Sequence, residues 1–142
     1  MALTPLDQAL EQLLSQLPPL PEVERLPLSQ CLHRVLAEDL LSAMDVPPFD
    51  NSAMDGYAVR VEDIPGALPN SQRIPAGAKA EPLAPKTAAR IFTGAMMPAG
   101  ANAVVMQEDA LVSGDQVQIL GCLERGLHVR RRGADIPHGS LV

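Results

Sequence analysis

The stretch PPFDNSAMDGYAV, from Pro47 to Val59, separates two parts of the sequence that differ in pattern. Before it, apolar residues recur at helical spacing. After it, short apolar runs alternate with polar residues between glycines and prolines. Asp55-Gly56 is a strong signal for a hairpin turn. A carboxylate exposed at a rigid strand end could instead serve a phosphate or Mg²⁺, which needs only one or two protein carboxylates beside substrate phosphates. The stretch therefore predicts either a plain turn or a functional Asp55, and both interpretations stay open.

The amino-terminal residues predict an amphipathic helix of roughly three to four turns. Thr4 suits the N-cap and Pro5 the first helical position. Pro18 and Pro19 end the helix, because neither can donate the next backbone hydrogen bond. One apolar stripe runs along this helix and consists of Leu6, Ala9, Leu10, Leu13, Leu14 and Leu17.

Two further elements are predicted before the quoted stretch. A short second helix begins at Ser29 and turns three apolar residues inward, namely Leu32, Val35 and Leu36. The segment EDLLSAMDV, residues 38–46, is predicted to form a strand leading out of that helix.

The residues after Met44 predict several short strands. Tyr57, Val59 and Val61 alternate with their neighbours, AVVMQ indicates another strand, and ALVSGDQVQIL indicates a hairpin with its bend at residues 113–115. The predicted fold class is therefore α+β and mostly β. It has a short helical N-terminal part to about Met44, followed by a β-rich module that resembles a barrel or a sandwich.

Composition excludes several classes of protein. The net charge is −6, and the only basic run is Arg130 to Arg132, so we expect no nucleic-acid partner. No apolar run reaches the ~18 residues of a membrane-spanning helix, and the amino terminus lacks the basic start of a signal peptide. Cys31 and Cys122 are too few for a disulfide framework. These features predict a cytoplasmic chain with no membrane partner.

Two more stretches could carry chemistry. In RIFTGAMMPAGANAVVMQED, residues 90–109, the Thr93-Gly94 turn could present a hydroxyl and backbone N–H groups to an anion, or it could simply join two strands. In HVRRRGADIPHG, residues 128–139, the arginines could bind an anion or pair with surface acids. On a strand, Arg130 and Arg132 would share one face and Arg131 would lie on the other.

Together, these three stretches and their order resemble the molybdopterin molybdenumtransferase family, the MoeA family, which includes the E domain of gephyrin. The block FDNSAMDGYA carries most of the resemblance, and LPLSQCLHRVLAED near the amino terminus adds to it. The resemblance implies an enzyme that transfers molybdenum from molybdate to adenylylated molybdopterin, needs Mg²⁺ and releases AMP. It also implies a homodimer formed through the first domain.

The resemblance assigns roles to residues of this chain by motif. Asp55 and Thr93 match catalytic positions, and Asp55 would hold Mg²⁺ or orient the attacking water. Thr93 would hydrogen-bond a phosphate oxygen, and Arg130 would pair with an anion or with Asp135. The substrate- or anion-binding set implied in this way consists of Arg130, Asp135, Ser52 and Gly94.

The resemblance also implies domain boundaries. Residues 1–44 would begin the first domain, residues 45–136 would form the second, and residues 137–142 would start a return to the first. Because the sequence stops at Leu141-Val142 within a predicted strand, we expect a longer parent whose C-terminal domains complete the site, and no activity from this chain alone. An alternative function is a non-catalytic dimerisation or scaffold module with the same fold.

Overall fold

The computed structural model describes residues 4–18 and 22–142. Contacts group the chain into two units, residues 1–39 and residues 40–142. The sequence predicted a boundary after Met44 instead, and a separate segment from residue 137 onward that here groups with the second unit. The assignment of these residues to family domains stays a prediction.

The first unit contains one α-helix, α1, which spans Leu6–Leu14. It is shorter than predicted, because the chain tightens into i→i+3 hydrogen bonds at Gln16 and Leu17 before Pro18, and a residue that precedes proline disfavours helical geometry. The predicted N-cap is also wrong, since Pro5 occupies the cap position and no side chain caps the first turn. Pro19 lies outside the described residues. Across the described ranges, no helix has the length and apolar character needed to cross a membrane.

The predicted second helix does not form. Only a single 3₁₀ turn, Leu28–Gln30, is present, and His33 adopts a φ of 66°, in the left-handed region that interrupts a helix. The three residues expected to face inward are exposed, namely Leu32, Val35 and Leu36. The local pattern was helical, but only one 3₁₀ turn forms, and the left-handed backbone of His33 keeps the helix from continuing.

Residues 38–46 do not form the predicted strand. Two isolated bridges are found there, Leu41 with Leu141 and Val46 with Ile136. A continuous ladder is prevented because the partner segment turns at residues 138–139 and contains Pro137, which has no N–H to donate.

The second unit is built on short strands. In chain order they are β1 Asn51–Ser52, β2 Gly56–Val59, β3 Ala67–Ile74, β4 Ala88–Ile91, β5 Ala103–Met106, β6 Ala110–Ser113, β7 Gln116–Ile119 and β8 Val129–Arg130. Six of them form one sheet with the order β5-β2-β4-β3-β7-β6. All neighbouring strands in this sheet are antiparallel except β3 and β4, which are parallel. A separate antiparallel pair joins β1 to β8. The predicted fold class, mostly β with a short helical start, is confirmed.

The sheet is buried on both faces at its centre. Tyr57 and Val59 of β2 pack into one apolar cluster, and Ala58 between them packs into a second cluster that includes Ile74 and Ile91. The prediction that successive side chains of β2 alternate between the two faces of the sheet is therefore correct, but both faces are buried.

Strand β3 was not predicted. Its sequence, ALPNSQRI, contains Pro69 and a register shift between Asn70 and Gln72, so its apolar residues do not alternate regularly. It is nevertheless anchored at both ends by buried side chains, Leu68 and Ile74. The predicted hairpin of β6 and β7 is confirmed, with Gly114 at a φ of 61° in its bend.

Candidate functional site

The segment from Asp50 to Asp55 is held between two other parts of the chain. On one side, the Ser52 N–H donates to the Ala95 carbonyl at 3.0 Å, and the Gly94 N–H donates to the Ser52 carbonyl at 2.8 Å. On the other side, the Ala53 N–H donates to the His128 carbonyl at 2.9 Å. These bonds fix the backbone from which the carboxylate of Asp55 projects.

Ser52 lies inside this support and not at its surface. Its side chain is 1% exposed, and its hydroxyl donates to the Met54 carbonyl at 2.5 Å. Such a local bond closes a turn of the kind that serine hydroxyls stabilise. Ser52 therefore shapes the loop that carries Asp55, and its predicted role in binding substrate stays a prediction.

Asp55 and Thr93 are in direct contact. The Thr93 hydroxyl donates to Asp55 Oδ1 at 2.7 Å, and the Thr93 N–H donates to the same oxygen at 2.8 Å. These two bonds, first that of the hydroxyl and then that of the N–H, hold the pKa of the Asp55 carboxyl below its usual value, and the charge of Arg90 adds to the effect. Within the described part of the chain, Oδ2 receives no hydrogen bond, so one carboxylate oxygen is available to a ligand.

The Thr93-Gly94 turn has little left to offer an anion. The Thr93 N–H is bonded to Asp55, and the Gly94 N–H is bonded to Ser52. Gly94 is exposed, and its φ of 79° makes it the glycine that this turn requires. The hydroxyl proton of Thr93 is directed at Asp55, so this side chain orients the carboxylate in the structure.

Two polar residues beside Asp55 were not singled out from the sequence. Arg90 donates to the Gly56 carbonyl at 2.9 Å and to Gln107 Oε1 at 2.6 Å, and its guanidinium lies over the Tyr57 ring at 5.3 Å. Gln107 also donates its N–H to the Asp55 carbonyl at 3.1 Å. A signal existed, because Arg90 and Gln107 lie in one quoted stretch and Gln107 ends the predicted strand AVVMQ, but only the pairing of β4 and β5 with β2 shows that the two residues meet.

The three consecutive arginines bind three different carboxylates. Arg130 pairs with Asp135 at 2.5 Å, and Arg131 pairs with Asp50 at 2.6 Å. Arg132 pairs with Asp45. The prediction that Arg130 and Arg132 share a strand face is wrong, because β8 ends at Arg130 and the chain then turns.

Asp45 and Asp50 are the anchors of this arginine segment. Asp45, whose side chain is 15% exposed, accepts the His138 N–H at 2.7 Å and Arg132 Nε at 2.5 Å. Asp50 also accepts the Arg132 N–H at 2.8 Å. The pKa of each carboxyl is lowered, chiefly by the backbone N–H that it accepts. These pairs close the loop of residues 130–138 onto residues 45–50, and this geometry favours the pairing interpretation of the arginines.

A divalent cation bound at Asp55 would have few protein ligands. No group of three or more His, Cys, Asp or Glu side chains that could hold a metal occurs in residues 4–18 or 22–142. Mg²⁺ fits such a site, because it keeps several waters and takes one or two carboxylates plus substrate phosphates. The free Oδ2 of a carboxylate with a lowered pKa is a suitable single ligand.

Comparisons with known proteins identify the family. The family model described as the MoeA N-terminal region (domain I and II) matches residues 4–142. The chain is 40% identical over 141 residues to a molybdopterin molybdenumtransferase of Haemophilus influenzae, covering 96% of this chain and 35% of that protein. It is 45% identical over 124 residues to molybdopterin molybdenumtransferase 2 of Mycobacterium tuberculosis, covering 82% of this chain and 31% of that protein.

A solved structure agrees with these sequence relationships. The crystal structure of the molybdopterin biosynthesis MoeA protein of Pyrococcus horikoshii matches with a TM-score of 0.81 and 37% identity, over 99% of this chain and 39% of that one. The chain therefore belongs to the MoeA family, as its three motifs implied. It spans about a third of the length of the curated relatives that it matches.

Proposed function

We propose that this chain is the N-terminal part of a cytoplasmic enzyme of molybdenum cofactor biosynthesis. The complete enzyme transfers molybdenum from molybdate to adenylylated molybdopterin and releases AMP. Support comes from the relatives, which are named molybdopterin molybdenumtransferases, and from a carboxylate held ready for a ligand. The observation that carries the proposal is the Asp55 carboxylate, with Oδ1 fixed by Thr93 and Oδ2 free.

The lowered pKa of Asp55 bears on its role. A carboxylate that stays ionised well below neutral pH is a weak general base, because efficient proton transfer needs a pKa near the operating pH. Such a group is better suited to holding a cation or orienting a water through its charge. Mg²⁺ bound there would neutralise charge on the phosphate of the substrate. Asp55 would be its ligand in this chain, and Thr93 would fix the direction of that ligand.

The remaining motif residues have supporting parts in this proposal. Arg130 and Asp135 form an exposed ion pair, and opening it would leave the Arg130 guanidinium able to bind an anion of the substrate. Ser52 and Gly94 connect the Asp55 loop to the Thr93 turn. We expect the 142 residues to be inactive by themselves, since the rest of the pocket belongs to the C-terminal domains of the family.

The test is Asp55→Asn in the complete protein, assayed for molybdenum insertion. We expect turnover to fall about 100-fold or more, which is the scale of loss for a charge that acts on the transition state. The melting temperature should change little, because Asp55 is exposed. The matched control is Asp115→Asn at the tip of the β6–β7 hairpin, where, among the residues that the structure describes, the carboxylate accepts a hydrogen bond only from the Gln116 side chain.

Two results would contradict the proposal. Full turnover by Asp55→Asn would remove Asp55 from the site. An equal loss of turnover and of folded protein would make Asp55 a turn residue. If the complete wild-type protein inserted no molybdenum but still self-associated, the alternative of a non-catalytic dimerisation or scaffold module would replace the enzyme.

A further inference from the structure

Arg73 and Arg90 lie directly opposite each other in the sheet. They are register partners in the parallel pair of β3 and β4, so their side chains leave the same face at neighbouring positions. Like charges in this arrangement destabilise a sheet. Neither arginine forms an ion pair with any carboxylate of the described residues, whereas the loop arginines 130–132 are each paired. The sheet therefore carries two adjacent positive charges at this point without an ion pair, offset in part by the electrostatic interaction of Arg90 with the Asp55 carboxylate.

One aromatic ring connects the two guanidinium groups. Phe92 contacts both, with 4.6 Å from its centroid to the guanidinium carbon of Arg73 and 4.6 Å to that of Arg90. Cation–π contacts of this kind offset part of the repulsion and keep planar guanidinium groups in place. Phe92 also immediately precedes Thr93, so the ring that contacts the two arginines is the sequence neighbour of the residue that orients Asp55.

The two arginines differ in how far their donors are used. Arg90 is anchored by the Gly56 carbonyl and by Gln107. Arg73 is exposed, and across the ranges that the structure describes none of the five N–H donors of its guanidinium makes a hydrogen bond. One arginine is therefore held in position while its neighbour is free to bind.

The location places this pair at the candidate site. Because β3 and β4 are parallel, their carboxyl ends meet at one edge of the sheet, and Arg73 and Arg90 each stand one residue before the end of their strand. The start of β2 lies at the same edge, since Gly56 pairs with Ile91. Asp55 immediately precedes Gly56, and Thr93 comes two residues after Ile91, so both lie at this edge.

We propose that Arg73 and Arg90 form a subsite for a tetrahedral oxyanion, and that its occupant is a phosphoryl group of the substrate. This proposal rests on the proposed function for the identity of the substrate. Guanidinium groups present forks that match the oxygens of a phosphate, and a dianion would remove the repulsion between the two arginines. Molybdate has the same tetrahedral oxyanion chemistry, so the experiment distinguishes the two sources.

The experiment measures anion binding to the 142-residue chain by calorimetric titration at low salt. The probes are inorganic pyrophosphate, AMP and molybdate. We expect saturable binding of pyrophosphate or AMP, and a dissociation constant at least about tenfold weaker in Arg73→Gln, the scale of one lost charge-assisted hydrogen bond. The matched control is Arg125→Gln, which removes the same charge from an arginine that already pairs with Glu62.

A second readout locates the ligand. In amide NMR spectra, pyrophosphate should shift the signals of Thr93 and Gly94 and leave that of Gly66, which precedes the start of β3 seven residues before Arg73, unchanged. Arg73→Lys should keep part of the affinity, because the charge remains and the fork is lost. The same spectra show whether Arg73→Gln is folded, which is expected for an exposed side chain.

Each outcome has one meaning. Tighter binding of molybdate than of pyrophosphate and AMP, with the same dependence on Arg73, would overturn the phosphoryl assignment. No saturable binding, or equal losses in Arg73→Gln and Arg125→Gln, would overturn the subsite itself. The proposed function is tested separately by Asp55→Asn in the complete protein. If that variant loses turnover while the chain binds no anion, only the subsite fails. If the chain binds anions and the variant keeps full turnover, only the proposed function fails.

Discussion

The Thr93 hydroxyl lowers the pKa of the Asp55 carboxyl, and this dependence can be measured at the scale of one residue. Removing the hydroxyl removes the largest contribution that lowers the pKa of the Asp55 carboxyl. We therefore predict that Thr93→Val raises this pKa toward its usual value of 3.8, whereas Thr93→Ser leaves it low. Carboxyl-carbon NMR titration of the isolated chain measures the shift. An unchanged pKa in Thr93→Val would mean that the backbone N–H alone holds the carboxylate.

Asp50 makes the free energy of unfolding depend on pH in the acidic range. Its pKa in the folded chain is lower than its usual 3.8, chiefly because its carboxylate accepts the Arg132 N–H. The stability that it contributes is therefore fully present above pH 3.8 and is lost as the pH falls through the folded-state value. We predict that Asp50→Asn is less stable than the wild type at pH 7 and that the difference shrinks below about pH 4.

Urea unfolding at pH 7 and at pH 3 tests this dependence on Asp50. Asp115→Asn is the control, because its exposed carboxylate contacts only the neighbouring glutamine, and its unfolding curves should follow those of the wild type at both pH values. A constant difference between Asp50→Asn and the wild type at the two pH values would contradict the role given to the Asp50 carboxylate.

At the scale of elements, Gly56 sets the distance between β2 and β5. A Cβ at this position would lie 1.8 Å from the Val105 carbonyl oxygen, a backbone atom that cannot rotate away. We predict that Gly56→Ala costs about 3 kcal/mol or more of unfolding free energy, because the two strands must separate. Chemical denaturation measures the loss.

The control for Gly56→Ala is Gly77→Ala. Gly77 has a φ of 81° and no atom within 4 Å of its added Cβ, so this substitution carries only the conformational cost of the left-handed region. That cost is about 1–2 kcal/mol. Equal losses in the two variants would mean that β2 and β5 can move apart easily.

The elements also show what the sequence could and could not predict. The β6–β7 hairpin was predictable because its bend residues, including Gly114, act locally. Strand β3 was not, because Pro69 and the irregular register hide a strand whose pairing with β4 and β7 is decided by residues elsewhere in the chain. The second helix failed for a local reason, the left-handed backbone of His33, that apolar spacing does not reveal.

The same distinction holds for the site. Asp55 and Thr93 were found because they belong to recognisable motifs. Their contact follows from the antiparallel pairing of β2 with β4, which brings positions 38 residues apart into hydrogen-bond distance. Arg73 was missed altogether, because it lies in the strand that was missed.

At the scale of the whole molecule, the leucines of α1 form an exposed apolar surface. Leu6, Leu10 and Leu13 lie on one stripe and are all exposed. We propose that this stripe belongs to the homodimer contact implied by the family. We predict that Leu10→Glu weakens self-association about tenfold or more, because an unpaired charge would be buried.

Sedimentation velocity measures this effect, with Gln8→Glu on the opposite side of α1 as a charge-matched control. Equal weakening in the two variants would indicate a general effect of charge. A monomeric wild type at all accessible concentrations would contradict a contact through this unit alone.

The ion pairs that close residues 130–138 onto residues 45–50 have a consequence for the order of folding. The Asp45 carboxylate cannot accept the His138 N–H until His138, which is 93 residues later in the chain, has been synthesised. At a synthesis rate of about 5–20 residues per second, this gap lasts roughly 5–20 s. Strands β2 to β5 are synthesised by Met106, and β7, which pairs with β3, is synthesised by Ile119, so every strand of the six-stranded sheet precedes His138 in the chain. The clasp that Asp45 forms with Arg132 and His138 is therefore, with the Leu41–Leu141 bridge, among the last contacts of the module that synthesis allows. If refolding follows the same order, the clasp governs mainly how fast the module opens and hardly how fast it folds.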